Sequence, residues 1–505
     1  MGFTTLAGTK PKDKTRLFLL DSKSGIGGRQ PKMKTTTYFK LTYVLVCTTF
    51  VRAATPVPIK HPVTPVADSA HAFVSAPFCV GPAELPRGVY DITSGTPIKI
   101  ADIPSADGSC FETPLVMASG LGGFTAGYLY LAYPDLNNPG LAHLARVPQI
   151  GGPLQAFADL TLQAGTTTFL TLRLDSVGTF GYNLIAMTGE GELFILNSAG
   201  TTVVHKLPGA MGLPTGGDTI EYENPRVMPL TFGAHGGWLW VTNENLPAVY
   251  AINPVTYQAE KLTVSLANGT QLPGPFGVED FVYLGANQCS YKGATVAQAV
   301  YEGALGSPNA SEAGQVMFSD MSAYKDKLLV ISEDRGFAFF INPDGTLGGL
   351  APYPPSGLFL EHLNPVTGRT DTGACLITKG CTLTQGGYKN HFNSQVLQLP
   401  TGGLWLGNNF YTNAQLDSII QNNAIRGNGL LSLAHQLITA ELNIYYGAQV
   451  TPAVALAIVQ AQALIGNLTI PPVGSDSLPT SDTSSIQSIL DTFNNGNSAG
   501  GPGHC

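Results

Sequence analysis

The stretch from Trp238 to Val264 alternates short apolar runs with polar turns. It reads Trp-Leu-Trp-Val-Thr-Asn-Glu-Asn-Leu-Pro-Ala-Val-Tyr-Ala-Ile-Asn-Pro-Val-Thr-Tyr-Gln-Ala-Glu-Lys-Leu-Thr-Val. Each apolar run has the length of a β-strand, and each turn carries Asn, Pro or an acid, which favour turns. The pattern therefore predicts three strands joined by tight turns.

Apolar runs of this length recur along the chain. They lie at 128–134, 183–196, 238–252, 281–284, 327–341 and 403–407. Repeats of roughly 40–50 residues with three or four short strands are typical of β-propeller blades. One blade cannot bury both of its faces, whereas a closed ring buries them against neighbouring blades. The sequence therefore predicts an all-β propeller of about six blades over residues 79–425, with five and seven blades left open.

The composition agrees with a turn-rich β protein. The chain contains 59 Gly and 36 Pro without a triplet period, which excludes collagen. We expect the stretch 76–115 to supply a strand to the last blade and so to close the ring.

A repeat family is suggested by two segments of the opening stretch. Trp240-Val-Thr-Asn-Glu244 and Val249-Tyr-Ala-Ile-Asn-Pro-Val-Thr256 resemble the repeat of YVTN-type β-propellers, close to the NHL group. The resemblance covers about 90–420. It implies the fold and little about function, because such propellers occur both as binding scaffolds and as enzymes.

The first 53 residues have the pattern of a secretory leader behind an extension. Met33 is followed by two lysines, an apolar run from Leu41 to Val51 and a small-residue cleavage site at Ala53. These features predict a signal peptide at 33–53. Residues 1–32 are interpreted as a gene-model extension, with a basic leader or a transit segment as the alternative. The Pro-, Val-, Ala- and Thr-rich stretch 54–78 is expected to be a linker.

Beyond residue 425 the apolar spacing changes from strand to helix. Three segments have helical spacing: Leu430–Ile444, Pro452–Ile465 and Asp482–Phe493. Thr451 and Pro452 form a favourable helix start. The sequence predicts a three-helix module at 426–505. It resembles a C-terminal segment of uncharacterised secreted propeller-like proteins, and the resemblance implies no activity.

The charge balance restricts the partners. Without the ten basic and two acidic residues of 1–53, the chain keeps 16 basic and 32 acidic residues, a net charge of about −16. Such a surface argues against nucleic acid and anionic membranes as partners. The apolar run of the leader, about 11 residues, is too short for a transmembrane segment. We therefore expect a secreted, extracellular protein.

Six cysteines follow the leader, and an even number in a secreted chain predicts disulfides. They are Cys79, Cys110, Cys289, Cys375, Cys381 and Cys505. Six cysteines allow 15 pairings. The local choices are Cys79 with Cys110 and Cys375 with Cys381, which leave Cys289 with Cys505.

Three sequons predict a glycoprotein if the chain follows a eukaryotic secretory route. They begin at Asn268, Asn309 and Asn467.

One pair of adjacent acids lies in an apolar context. Glu279 and Asp280 would point to opposite faces of a strand, so that one of them would face the propeller axis. With Asn243 and Asn408 they form the candidate metal site, because propeller lactonases and gluconolactonase-like enzymes hold a central calcium with Glu, Asp and Asn. No motif of those families matches this chain. The alternative is a solvated turn before the strand at 281.

Two main functions remain open, and whether the protein is an enzyme is not decided. The first is a secreted or surface binding scaffold for an unassigned extracellular ligand, which could be a glycan, a protein or a small molecule. The second is a calcium-dependent, lactonase-like hydrolase in which an axial ion polarises a carbonyl. A quinone-dependent dehydrogenase on the same fold has no specific residue in its favour.

Overall fold

The protein is described by a computed structural model. The described residues are 57–59, 65–75, 87–104, 113–135, 137–138, 140–163, 170–216, 220–232, 234–243, 248–262, 264–265, 271–272, 278–285, 289–302, 314–332, 337–342, 347–350, 358–367, 380–390, 399, 402–423 and 427–505. The predicted leader, Cys79, Cys110, Cys375 and the sequons at Asn268 and Asn309 lie outside them.

Four sheets are antiparallel meanders of four consecutive strands, and we call them blades I to IV. The first strand, β1 (Val57–Ile59), precedes them. Blade I contains β2 (Pro65–Ala67), β3 (Ala72–Ser75), β4 (Gly88–Asp91) and β5 (Ile98–Asp102). Blade II contains β6 (Leu115–Met117), β7 (Tyr128–Pro134), β8 (Leu141–Pro148) and β9 (Gln155–Thr161). Blade III contains β10 (Leu170–Leu174), β11 (Leu184–Thr188), β12 (Leu193–Leu196) and β13 (Thr202–Lys206). The short helix α1 (Pro208–Met211) leads to blade IV, which contains β14 (Tyr222–Val227), β15 (Leu239–Asn243), β16 (Ala248–Ile252) and β17 (Ala259–Leu262).

The last two four-stranded sheets are interlocked. A small hairpin, β18 (Val264–Ser265) and β19 (Gln271–Leu272), precedes them. The chain forms β20 (Asp280–Leu284), leaves to form β21 (Val296–Glu302) and β22 (Gly314–Ser319), and then returns as β23 (Lys327–Ser332), β24 (Phe337–Ile341) and β25 (Leu347–Leu350). Strands β20, β23, β24 and β25 form blade V. Strands β21 and β22 join β1 and β26 (Leu358–Pro365) in a composite sheet of order β1-β22-β21-β26.

These sheets confirm the β-propeller class. The sequence predicted about six blades, and the structure has five blades together with the composite sheet. Strand β26 contacts β20 on one side and β2 on the other, so the composite sheet lies between blades V and I. Residues 57–59, 65–67 and 72–75, predicted as linker, form strands. The expectation that 76–115 supplies a strand to the last blade is also wrong. Strands β4 and β5 of this stretch belong to blade I, and β1 completes the composite sheet instead.

Strand β11 shows why the apolar runs are continuous rather than alternating. All five of its residues are buried. Leu184 and Ala186 pack in a cluster shared with blade II, whereas Ile185 and Met187 pack in a cluster shared with blade IV. A strand that is covered on both faces needs apolar residues at every position.

The C-terminal region is mainly helical and larger than predicted. The described part begins with β27 (Cys381–Thr382), α2 (Gln385–Asn390) and the hairpin β28 (Gly403–Leu406) and β29 (Asn409–Thr412). It continues with α3 (Asn413–Gln421), α4 (Gly429–Tyr445), α5 (Pro452–Ile465), α6 (Thr480–Asn494) and β30 (Gly503–His504). The three helices predicted from apolar spacing correspond to α4, α5 and α6. Thr451 caps α5 and Pro452 is its first residue, as the sequence predicts.

The helical region packs on the loops that follow the inner strands of blades III and IV. Leu230 belongs to the core of the helical region, and Val177 and Trp238 pack against that core. In the loop of blade III, the Asp175 carboxylate accepts four backbone N–H bonds of 2.8–2.9 Å, from residues 177, 178, 180 and 182. This loop presents Tyr182, whose hydroxyl donates to the Val450 carbonyl. Asp175 therefore shapes the surface on which the helices dock.

One disulfide ties the end of the chain to the helical region. Cys381 bonds Cys505, and β27 pairs in parallel with β30 beside it. This pairing replaces both predicted pairs that involve these cysteines, Cys375 with Cys381 and Cys289 with Cys505. Sequence spacing favoured the near neighbour, whereas the fold brings together residues 124 positions apart. Cys289 is also disulfide-bonded.

Glu441 of α4 makes stability depend on pH. Its side chain is fully enclosed, and it accepts a hydrogen bond from the Gln462 amide. Burial raises the pKa of Glu441 well above its usual range. The folded state therefore holds a proton that the unfolded chain releases, and stability is lost as pH rises above the usual carboxyl range.

We expect Glu441→Gln to raise the melting temperature at pH 7–8 by a few degrees and to change it little at pH 4. The amide is neutral at every pH and fits the same space. The measurement is a thermal melt from pH 4 to pH 8, with the exposed Glu260→Gln as the matched control. An equal shift at all pH values would contradict this origin.

Candidate functional site

The inner strands of the sheets form a ring around the propeller axis. In order they are β2, β6, β10, β14, β20 and β26, and each contacts the next. Six buried polar or charged residues lie on one side of this ring, at β10, β14 and the start of β20. They are Arg173, Glu223, Asn224, Arg226, Glu279 and Asp280, and none is more than 9% exposed. We call this group the axial cluster and treat it as the candidate functional site.

A bulge in β14 aims the side chains of the cluster. The register between β14 and β15 shifts between Glu223 and Arg226. Asn224 lies in the left-handed region with φ 48°, which Asn tolerates better than most residues. Pro225 follows and has no N–H to contribute to a ladder. Bulges re-aim side chains in this way, and here the bulge brings both Asn224 and Arg226 to the neighbouring strands.

The central contact is the ion pair between Arg226 and Asp280. Arg226 donates from Nε to Asp280 Oδ1 at 3.1 Å and from Nη2 to Oδ2 at 2.9 Å. Arg226 Nη2 also donates to the carbonyl of Leu363 in β26. Two hydrogen bonds between a guanidinium and a carboxylate add to the attraction of their charges, and they also fix the relative orientation of the two groups. The pair therefore connects blade IV, blade V and the composite sheet.

Backbone donors complete the coordination of Asp280. The amide of Leu363 donates to Oδ2 at 2.7 Å, and the amide of Phe281 donates to Oδ1 at 2.6 Å. Each carboxylate oxygen therefore accepts at least two hydrogen bonds. The side chain is fully buried, so both oxygens are engaged within the protein.

Arg173 extends the cluster to blade III. Its Nη2 donates to Asn224 Oδ1 at 2.8 Å and lies 3.8 Å from Asp280 Oδ2. Burial, and secondarily the charge of Arg226, lower the pKa of Arg173 to about 9. The guanidinium remains protonated at neutral pH, because its pKa is still about two units higher. Two buried cations therefore share the Asp280 carboxylate.

Two further hydrogen bonds join blades IV and V at the same level. Asn224 Nδ2 and Thr242 Oγ1 donate to the backbone carbonyl of Glu279 at 2.9 and 3.0 Å. Across the ring, Asn364 Nδ2 donates to the Pro65 carbonyl at 2.7 Å and joins β26 to β2. Polar side chains thus connect blade III, blade IV, blade V, the composite sheet and blade I in turn.

The structure divides the predicted metal ligands between two places. Glu279 and Asp280 lie where β20 begins, and Asn243 is buried at the end of β15, next to Thr242. Asn408 lies in the β28–β29 turn of the helical region, where its amide donates to Asn467. Within the described ranges, no group of three or more His, Cys, Asp or Glu side chains is arranged to hold a metal ion.

Asp280 does not fit a calcium site in its present contacts. Calcium takes six to eight oxygen ligands. Asp280 gives both of its oxygens to Arg226 and backbone amides, and the guanidinium groups of Arg226 and Arg173 would repel a metal ion beside it. The arrangement can hold inner strands together, and it leaves Asp280 no free oxygen for a ligand.

Sequence reasoning missed both arginines. Arg173 occurs in Leu-Thr-Leu-Arg-Leu and Arg226 in Glu-Asn-Pro-Arg-Val, each a lone cation in a strand. In a chain with only 12% charged residues, a cation inside an apolar strand was a signal that a buried anion had to face it.

Removing only one partner of the central pair should be costly. We expect Arg226→Met to destabilise the protein by about 3–5 kcal/mol, because Asp280 is left charged and buried. Arg226→Lys, which keeps a cation but not the two-point geometry, should lose less than Arg226→Met. Urea unfolding measures both effects.

The control is Arg146→Met, which removes a half-buried arginine that faces Tyr128 and Phe157 instead of a carboxylate. This change should cost about 1 kcal/mol or less. Equal losses for the Arg146 and Arg226 variants would contradict the special role of the axial pair.

No helix in the described part of the chain is long and apolar enough to cross a membrane.

Comparison with known proteins identifies neither a family nor an activity. No family model matches the chain, and no curated protein matches it. Similar solved structures include Sqt1 of Saccharomyces cerevisiae, at 9% identity and TM-score 0.32 over 60% of this chain and 83% of that chain. A GH43 β-1,3-galactosidase is similar at 9% identity and TM-score 0.32 over 57% and 62% of the two chains. At these values the similarity says nothing about the function of this chain.

Proposed function

We propose that the protein is a secreted or cell-surface binding scaffold whose propeller axis has a structural role. One observation carries this proposal. The carboxylate of Asp280, the central acid of the axial cluster, accepts bonds from a guanidinium and two backbone amides and has no free oxygen. A general base or a metal ligand needs an oxygen that can reach a substrate or an ion.

Secretion is part of the proposal and has two supports. The sequence pattern at 33–53 is that of a signal peptide. The structure has Cys381 bonded to Cys505, and disulfides persist mainly in oxidising compartments. The resemblance of the segment around Trp240 to YVTN-type repeats is compatible with such a scaffold, since many of these propellers are extracellular.

The calcium-dependent hydrolase remains the alternative function, but no described contact favours it. It would require Glu279 and Asn243 to find further oxygen ligands after Arg226 had moved away from Asp280. Because the two charges are buried together, separating them would cost about as much as breaking the pair by mutation.

The two functions differ in one measurement. We expect the melting temperature of the chain from Ala54 onward to be the same in calcium and in chelator, because ligands stabilise only a folded state that binds them. Magnesium at the same ionic strength is the control for salt effects. A rise of several degrees in calcium alone, abolished by Glu279→Gln, would overturn the scaffold proposal and favour the hydrolase.

The secretory route makes a separate prediction at Asn467. This asparagine is exposed in the turn after α5, and its side-chain oxygen accepts a hydrogen bond from Asn408. We expect protein from a eukaryotic secretory host to carry a glycan there, visible as a mass shift that Asn467→Gln removes.

The matched control is Asn408→Gln, which changes the hydrogen-bond partner of Asn467 but keeps the sequon. This variant should leave the glycan in place. An unmodified Asn467 peptide from correctly secreted protein would show that this sequon is not used.

A further inference from the structure

A groove of about 400 Å³ lies on the helical region between α4, α6 and α2. Helix α6 contributes side chains at the spacing i, i+3, i+4 and i+7: Ser484, Gln487, Ser488 and Asp491. Helix α4 contributes Ser432, His435 and Gln436, and α2 contributes Gln385. All of these side chains are polar. Apolar residues of the two helices, such as Leu433 and Leu490, belong to the buried core, and the groove contains none of them.

Two side chains at the α2 end are held in one orientation. His435 Nε2 lies 2.8 Å from the Ile419 carbonyl, and Nδ1 lies 2.9 Å from the Gln385 amide nitrogen. Since a carbonyl can only accept, Nε2 carries the proton and Nδ1 accepts from Gln385. Burial lowers the pKa of His435, which keeps the ring neutral in this arrangement.

The other amide nitrogens of the groove are also committed to the protein. Gln487 donates to the Gly429 carbonyl at 3.1 Å and to Thr483 Oγ1 at 2.6 Å. Gln436 donates to Asp491 Oδ1 at 3.1 Å. Both donors of Gln487 and one donor each of Gln385 and Gln436 are therefore used internally, and the side-chain oxygens of Gln385 and Gln487 and Asp491 Oδ2 remain as acceptors.

The hydroxyl groups of α6 complete the polar surface. Ser484 and Ser488 are exposed, and neither hydroxyl has a hydrogen-bond partner among the described residues. A hydroxyl can donate or accept, so these two groups adapt to a ligand. The lining contains one carboxylate and no lysine or arginine.

The groove therefore selects by hydrogen bonding rather than by charge. A ligand that fits has many donors, little charge and little apolar surface. A peptide backbone offers equal numbers of donors and acceptors, and its carbonyls would find few N–H groups here. A phosphate or a carboxylate would meet Asp491 and no cation. The volume is within the usual range for small-ligand sites, about 300–1,000 Å³.

We propose that this groove binds a neutral, polyhydroxylated ligand, a mono- or oligosaccharide, through the acceptor oxygens of Gln385, Gln487 and Asp491 and the hydroxyls of Ser484 and Ser488. The inference rests on the proposed scaffold function and gives it a ligand class and a location. It places the ligand on the helical region and leaves the propeller as its support.

The test has two steps. Secreted protein freed of its own glycans is first screened on an array of neutral and acidic saccharides, and the affinity for the best neutral one is measured by calorimetry. The variant Ser488→Phe then fills the groove from an exposed position and should weaken binding at least tenfold. Ser485→Phe, on the same helix but outside the groove, is the matched control and should bind as the wild type does.

The outcomes separate this inference from the scaffold function. Saccharide binding that Ser488→Phe leaves intact would overturn the groove as the site, while the scaffold function would stand. Absence of any neutral saccharide ligand would overturn the ligand class, and a protein partner found by cross-linking would then keep the scaffold function. Binding that disappears in about 0.5 M NaCl would show recognition by charge, because salt screens charges at this strength, and would also contradict the inference.

Discussion

The bond between Arg226 and Asp280 is the contact on which the propeller most depends. Two opposite charges have been removed from water, which is favourable only when each finds several partners in good geometry. Arg226 bonds both oxygens of Asp280 and the Leu363 carbonyl, and Leu363 returns an amide bond to the same carboxylate. These partners come from three different sheets. Correct docking of blade IV, blade V and the composite sheet is therefore the condition under which the buried charges are satisfied.

The same constraint explains why the axial cluster resembled a ligand site in the sequence. Adjacent acids in an apolar context, here Glu279 and Asp280, are candidates for ligands or catalytic groups. Structural ion-pair networks also place acids in an apolar context. A ligand site and a structural ion pair are distinguished by the group that faces the acid. Here a guanidinium faces Asp280, and the cluster acts as a support of the ring. The groove between α4 and α6 has the opposite character, since its acceptor oxygens are held in place but left open.

Local patterns predicted the elements well and the long-range pairings poorly. The apolar runs around Leu184 and Leu239 marked strands, and Thr451 with Pro452 marked the start of a helix, because burial and capping act within a few residues. Nothing local shows that Val57 pairs with Val316 or that Cys381 bonds Cys505. The stretch 54–78 was taken for a linker because Pro and Ala are common there, although three short strands in it are held by tertiary contacts. The grouping of Asn408 with Glu279 and Asp280 also depended on sequence alone, whereas the structure places Asn408 in the β28–β29 turn beside Asn467.

The exchange of strands between blade V and the composite sheet determines the order in which the protein can be assembled. During synthesis β1 emerges early, yet its partner β22 follows the four-stranded blades I to IV. Blade V begins with β20 but cannot be completed until the chain has built β21 and β22 and returned. Strand β26 then pairs with β21 and lies between the inner strands β20 and β2 as one of the last propeller strands. The ring is therefore closed late, from segments made at both ends of the propeller, and a ribosome-bound chain that lacks β26 carries blades whose shared axis is still open.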